Sequence, residues 1–368
     1  MKKYIIGAIL LMLGIVAYAQ DARIAHPFLW KSYYNPAYIG SERLVKVDLG
    51  AQTTYSYKPS LFVDSHLSFE FPWATDNVSW SAGLKASDQY QGSGLLNVAS
   101  ISPMLSLGVV LYDSRTVHSF LQVGVEFDAY STKANQDKMV FGDQLDPYYG
   151  RFKDISEELS YMPNNSIWDF DMSVGLYGET SFRTHSGNII LKYGASVSHV
   201  INDKIKSLYS NDKAEIYMPE IYNRKFSAHL DYVHPFDAGW NTPVYLAGYG
   251  IYQYQANMHD IQFGVYTSIK QFMLGVSCKV EKYVPNYTLS NLVFHAVYSN
   301  WITKDINFKI AYSYEFPVTQ GFITETSIHS LSLHFCYDYK VNSCPAFRCG
   351  KYSRPSDAAW YEYSRSGL

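Results

Sequence analysis

Paired carboxylates are the first feature of this sequence that could do chemistry. Asp64, His66 and Glu70 follow one another at even spacing, and so do Asp169 and Asp171. Two carboxyl groups on one face can divide general-acid and general-base work between them. Yet residues two apart share a face on any strand, so an alternating strand generates such pairs without catalysis. The 11 histidines are scattered, and neither H-E-x-x-H nor a zinc-type Cys/His spacing occurs. No G-x-S-x-G, P-loop or G-x-G-x-x-G set between a strand and a helix is found either. The expectation is a protein without a catalytic site, metal or cofactor.

Period-2 alternation recurs along nearly the whole chain, whereas helical periodicity is hard to find. Val117, Ser119, Leu121, Val123, Val125 and Phe127 alternate with His118, Gln122, Gly124, Glu126 and Asp128. Trp168, Phe170, Met172, Val174 and Leu176 likewise alternate with Asp169, Asp171, Ser173 and Gly175. Each such segment is a strand with one oily and one wet face. The pattern predicts about fourteen strands, near 43–57, 61–71, 78–90, 96–107, 116–130, 167–178, 188–200, 222–235, 244–256, 260–270, 272–282, 289–299, 305–315 and 327–339. The fourth is the weakest, because Pro103 interrupts it. Most segments reach the roughly 9–11 residues of a tilted membrane-spanning strand. Soluble strands average about 5–6.

Composition narrows the class. The chain has 368 residues, a net charge of −3, 17% charged residues and 17% aromatics, including 34 tyrosines. Average soluble domains are about 25% charged. Low charge with abundant aromatics argues against disorder, and the acidic balance argues against nucleic acid as a partner. Lys2 and Lys3, the apolar run Tyr4–Val16 and Ala17-Tyr18-Ala19 read as a signal peptide over 1–19. Past it, no apolar run approaches the roughly 20 residues of a spanning helix. The expected fold is therefore all-β: an antiparallel outer-membrane β-barrel of about 14 strands. Counted from a periplasmic N-terminus, the long connections 131–166, 201–221 and 316–326 all fall outside, the asymmetry such barrels show. The expected division is a periplasmic segment over 20–42, the barrel over 43–339 and a periplasmic tail over 340–368.

Tyr33-Tyr34-Asn35-Pro36-Ala37-Tyr38-Ile39-Gly40-Ser41 resembles the N-P-A-Y-x-G-S segment of the PorP/SprF family of the Bacteroidota type IX secretion and gliding apparatus. Ser65–Trp73, Val78–Ser87 and Ile328–Phe335 are similar to that family's second, third and closing strands. Cys344-Pro345-Ala346-Phe347 resembles the cysteine-proline tail of some members. Ile39 departs from the pattern, where a small residue is usual. The resemblance implies a non-enzymatic outer-membrane component that works with periplasmic secretion components and a secreted surface protein or adhesin. The alternative function is a porin or small-solute transporter.

Two segments are candidate partner contacts. In the first, Pro36 fixes its own φ and extends Asn35, while Gly40 permits a tight turn before the first strand. Asn35, Pro36, Ala37, Tyr38 and Gly40 could bind a partner, plug the barrel, or form a lid in its mouth. In the tail, Cys344, Pro345, Phe347, Cys349 and Trp360 are the candidates. Cys344 and Cys349 could close a small disulfide loop, stay free, or pair with a partner. Cys278 reads as lipid-facing and Cys336 as lying on the polar face of the last strand. Asp48, Asp64, Glu70, Lys85, Glu126, Asp128, Asp169, Asp171, Lys192, Lys279, Glu281 and Lys309 are expected to face the lumen, filling it with paired charges or lining a pore.

Overall fold

The computed structural model describes residues 26–337 apart from 43, 56–61, 75–77, 93–95, 115, 136–138, 147, 149, 155, 158–165, 185–186, 202–223, 238–242, 256–257, 284–285, 304–305 and 319–326. The signal-peptide reading, the 201–221 loop beyond Ile201, and Cys344, Pro345, Phe347, Cys349 and Trp360 lie outside the described residues.

Fourteen strands form one closed antiparallel barrel. In chain order they are β1 (Val45–Tyr55), β2 (Phe62–Ala74), β3 (Val78–Gln91), β4 (Leu96–Asp113) and β5 (Val117–Ala134). After a small hairpin of β6 (Leu145–Asp146) and β7 (Gly150–Arg151) come β8 (Ser166–Thr184), β9 (Gly187–Ser198), β10 (Lys225–Asp237) and β11 (Pro243–Gln255). The wall is completed by β12 (Met258–Ile269), β13 (Phe272–Tyr283), β14 (Asn286–Trp301), β15 (Ile306–Pro317) and β16 (Ser327–Tyr337). Each barrel strand pairs with the next, and β1 closes on β16 from Val45↔Tyr337 to Tyr55↔Ser327. No edge is left, which a sheet in hydrocarbon requires. Among the described residues no helix is long and apolar enough to cross a membrane.

The alternation decides the faces. On β5, His118, Gln122 and Glu126 are buried inside while Val123 and Phe127 are exposed outside. Several strands run past their predicted ends, β4 and β8 furthest, by six residues each. β4 continues through Pro103 to Asp113. Pro103 points outward and its pairing to β5 lapses, but the ladder resumes at Met104↔Glu126. β8 extends to Thr184 because Gly178-Glu179-Thr180-Ser181 still pairs on both sides, although those residues blur the alternation. Trp301, at the end of β14, is buried inside against Leu44 and Cys336. Cys278 lies half-buried on the outward face and Cys336 is buried inward.

Leu105 stands near mid-height of β4, 60% exposed on the outer face. Leu105→Arg is expected to destabilise the barrel by about 2–4 kcal/mol in lipid vesicles, measured by urea unfolding. Tyr148→Arg, in the exposed connection between β5 and β8, should change stability little. Equal effects would mean that the Leu105 face does not meet hydrocarbon.

Candidate functional site

The barrel interior is occupied by its own N-terminal chain. Lys31–Tyr34 makes a single helical turn, α1, which stops at Asn35 in extended conformation. Pro36–Tyr38 then forms a 3₁₀ turn, with Pro36 at a position whose N–H would have no helical acceptor. The Asn35 side chain accepts from the Ala37 N–H at 2.9 Å and so caps that turn. Gly40 takes φ +69°, where a side chain would be strained, and its N–H donates to Glu70 at 3.0 Å.

Fixed polar groups seat this segment in the wall. The Asn35 amide donates to the Leu176 carbonyl at 2.8 Å, and Gln122 donates to the Ile39 carbonyl at 2.7 Å. The Ser196 hydroxyl donates to the Tyr34 carbonyl at 2.6 Å. Lys46 donates to the Leu29 carbonyl at 3.3 Å, and Lys31 pairs with Asp231 at 3.3 Å. Rings do the rest. Phe28 lies against Tyr249, Tyr266 and His295, Trp30 against His66 and His334, and Tyr38 against Tyr177 and His229. The Lys85 ammonium sits 5.2 Å from the centre of the Tyr33 ring.

Glycines let the two backbones meet. A Cβ on Gly124 would collide with the Pro36–Ala37 backbone, and one on Gly175 with the Asn35 side chain. One on Gly50 would come within 2.6 Å of Trp30. These wall contacts have a sequence signal that can be read in hindsight. Gly124 and Gly175 sit on wet-face positions, and glycine inside a strand often marks close approach of another backbone.

The space around the plug holds the charges. Asp48, Asp64, Glu70, Glu126, Asp169, Asp171, Lys192, Lys279 and Lys309 are buried inside, with Lys85, Asp128 and Glu281 half-buried there. Lys279 pairs with Glu315 at 2.6 Å, and Asp48 joins Lys46 at 3.2 Å and His334 at 2.6 Å. Lys85 pairs with Glu126, Asn291 with Glu315, and Ser102 with Asp128. The pairs that suggested acid–base chemistry take part in this filling: Asp64 contacts His66 at 3.1 Å and Asp171 contacts His199 at 2.5 Å. Among the described residues no group of three or more His, Cys, Asp or Glu side chains is placed to hold a metal. Asp231, Glu315, Glu179 and Lys46 belong to the filled interior but were not singled out in sequence.

The structure thus brings Asn35, Pro36, Ala37, Tyr38 and Gly40 together inside the lumen, where all five, and Ile39 with them, are buried. In this arrangement their neighbours are the wall strands.

A second ordered feature lies in the connection between β5 and β8. The Gln144 side chain is buried, accepts from the Phe141 N–H at 2.9 Å and donates to the Asp154 carbonyl at 2.9 Å. Asp143 accepts from the Ser156 hydroxyl at 2.6 Å and the Glu157 N–H at 2.8 Å. These two bonds, the Ser156 one first, hold the Asp143 carboxyl below its ordinary range. The hairpin they tie presents Leu145, Phe152 and Tyr148, the last 92% exposed.

A family model described as type IX secretion system membrane protein PorP/SprF matches residues 16–335. The chain belongs to the PorP/SprF family. Membership and the closed barrel together make it an outer-membrane protein of the type IX secretion class. No curated protein matches the chain. Among solved structures it is similar to CdiB from Acinetobacter baumannii, at 10% identity and a TM-score of 0.45, covering 80% of this chain and 60% of that one. It is also similar to a Pseudomonas aeruginosa FadL homologue, at 10% identity and a TM-score of 0.40, covering 83% and 93%. The translocator domain of NalP from Neisseria meningitidis is matched at 10% identity and a TM-score of 0.35, covering 86% and 96%.

For this PorP/SprF barrel, Gly175→Val should expel the 26–44 segment from its seat while the wall persists, since the collision is with the Asn35 side chain. Protease cleavage within 26–44 should then rise by about ten-fold or more, with heat-modifiable gel mobility retained. Unchanged cleavage would mean that the seat yields. Gln144→Ala should speed cleavage between β5 and β8. The Asp143 contribution to that hairpin is complete above its unfolded value of about 4 and lost only as pH falls through the depressed folded value. Loop cleavage should therefore be flat between about pH 5 and 8.

Proposed function

We propose that this protein is a non-enzymatic component of the type IX secretion and gliding machinery, a closed barrel that docks other proteins rather than passing solutes. The observation that carries the proposal is the lumen. It is filled by the 26–44 segment, whose carbonyls, amides and rings are matched to the wall by groups from β1, β2, β5, β8, β9, β10, β11 and β14. A porin needs an aqueous path, and among the described residues the interior is occupied by this segment and its contacts to the wall. With the lumen occupied, function falls to the two ends of the barrel. Outside, the tied 139–157 loop offers Leu145, Tyr148 and Phe152 as apolar contacts for a secreted surface protein. On the periplasmic side, the 340–368 segment, with Cys344, Pro345, Phe347, Cys349 and Trp360, is the proposed contact for secretion components. Asn35, Pro36, Ala37, Tyr38 and Gly40 serve first as the plug, and would meet a partner only on leaving the lumen.

Crosslinked affinity purification from native outer membranes tests this role, using the full chain and a version truncated after Tyr339. The full chain should bring down periplasmic secretion components or a large surface protein, and truncation should remove the periplasmic ones. Recovery of the barrel alone in both cases would contradict the docking role.

A further inference from the structure

The outward face of the barrel carries two apolar grooves, one on each side of the seam between β15 and β16. The first, of about 590 Å³, is lined by Leu246, Val265, Leu274, Val276, Phe294 and Tyr312, with Ala296 between taller neighbours. The second, of about 430 Å³, is lined by Leu49, Ala51, Leu67, Ala86, Leu331 and Leu333. Both volumes fall within the roughly 300–1,000 Å³ of ligand sites. Leu331 is in register with Tyr312 on one side and Ala51 on the other. The first groove is lined by β11–β15 and the second by β16 and β1–β3, so the two meet between Tyr312 and Leu331, at the seam of β15 and β16.

One residue pair above Leu331, toward the outer end of β16, stands His329. Its Nδ1 lies 2.8 Å from the Tyr312 hydroxyl and its Nε2 3.3 Å from the Ser327 hydroxyl. Its ring lies beside Tyr314, with centroids 5.1 Å apart. Ser327 begins β16, so this polar cluster stands at the end of the strand, which the strand parity puts on the outer-leaflet side. The grooves lie below it, where only hydrocarbon is available to fill them. Histidine and hydroxyl donors suit a phosphoryl oxygen, whereas the grooves suit methylene chains. Asp88, a carboxylate in the lining of the second groove, is engaged by Asn97 at 2.6 Å and stands across β1 and β2 from His329.

We propose that the outer half of β16 binds one outer-leaflet lipid with at least two acyl chains. The chains lie in the two grooves, and the phosphate-bearing headgroup rests on Tyr312, Ser327 and His329. The position on the membrane-facing wall argues for a lipid occupant, and the convergence of two furrows on one polar cluster argues for a molecule with one head and several tails.

The test uses full-length protein in nanodiscs of equal parts phosphatidylethanolamine and phosphatidylglycerol, released for native mass spectrometry. Wild-type protein should retain one phospholipid. Ala296→Trp with Ala51→Trp, which fill the grooves, should lower retention by about ten-fold. His329→Ala with Tyr312→Phe should lower it several-fold, and heat-modifiable gel mobility verifies that each variant is folded. A measurement on the wild type alone guards against misfolded variants: phospholipid with a diazirine in its acyl chain should label peptides of β11–β16 and β1–β3 above those of β4–β10. Retention indifferent to all four substitutions, or labelling spread evenly around the barrel, would overturn the proposal. So would purification from native membranes with a protein, and no lipid, covering both grooves.

Discussion

Backbone hydrogen bonding in a solvent that offers none is the constraint from which the other features follow. A strand in hydrocarbon must pair on both sides, so the sheet has to close, and β1 closes on β16 across eleven residue pairs from Val45 to Tyr55. Closure at fourteen strands creates a second problem. About eight strands leave an interior that side chains alone can fill, and fourteen leave more. This chain meets the excess volume with its own residues 26–44, and the wall accommodates them by giving up side chains at Gly50, Gly124 and Gly175.

Filling a polar lumen with chain makes burial of charge unavoidable. An isolated ion in such a place costs several kcal/mol, so charges there come with partners. Lys279 has Glu315, Lys31 has Asp231, and Asp48 has both Lys46 and His334. The Lys31–Asp231 pair joins plug to wall and makes the position of the plug depend on the barrel register. Such pairs fix the arrangement more than they raise its stability, because the gain from pairing is set against the loss of hydration. The same economy accounts for carboxylate pairs at catalytic-looking spacing: they are the inward half of alternating strands.

The wall was largely legible in the sequence because period-2 alternation is a local signal repeated fourteen times. The strands that ran furthest past their predicted ends, β4 and β8, did so where Pro103 and the Gly178–Ser181 stretch dilute that signal while pairing continues. The inward charges were legible by the same alternation, but their partners were not. Register between distant strands decides that Lys279 meets Glu315, or that Asp48 meets His334 across 286 residues. The depth of the N-terminal segment was also not readable. Asn35-Pro36-Ala37-Tyr38 announces a turn, and nothing local says that its Asn35 will bond the carbonyl of Leu176. Trp301 illustrates the limit in small. A tryptophan near a strand end reads as a girdle residue, yet parity turns it inward onto Leu44 and Cys336.

The central claim is that the lumen is closed by the chain's own N-terminal segment. Its most direct test is single-channel recording of the purified full chain in planar bilayers, beside a variant lacking residues 26–42. The account predicts a nearly silent full-length barrel and steady conductance once the segment is removed. Steady conductance from the full chain, unchanged by that deletion, would contradict it.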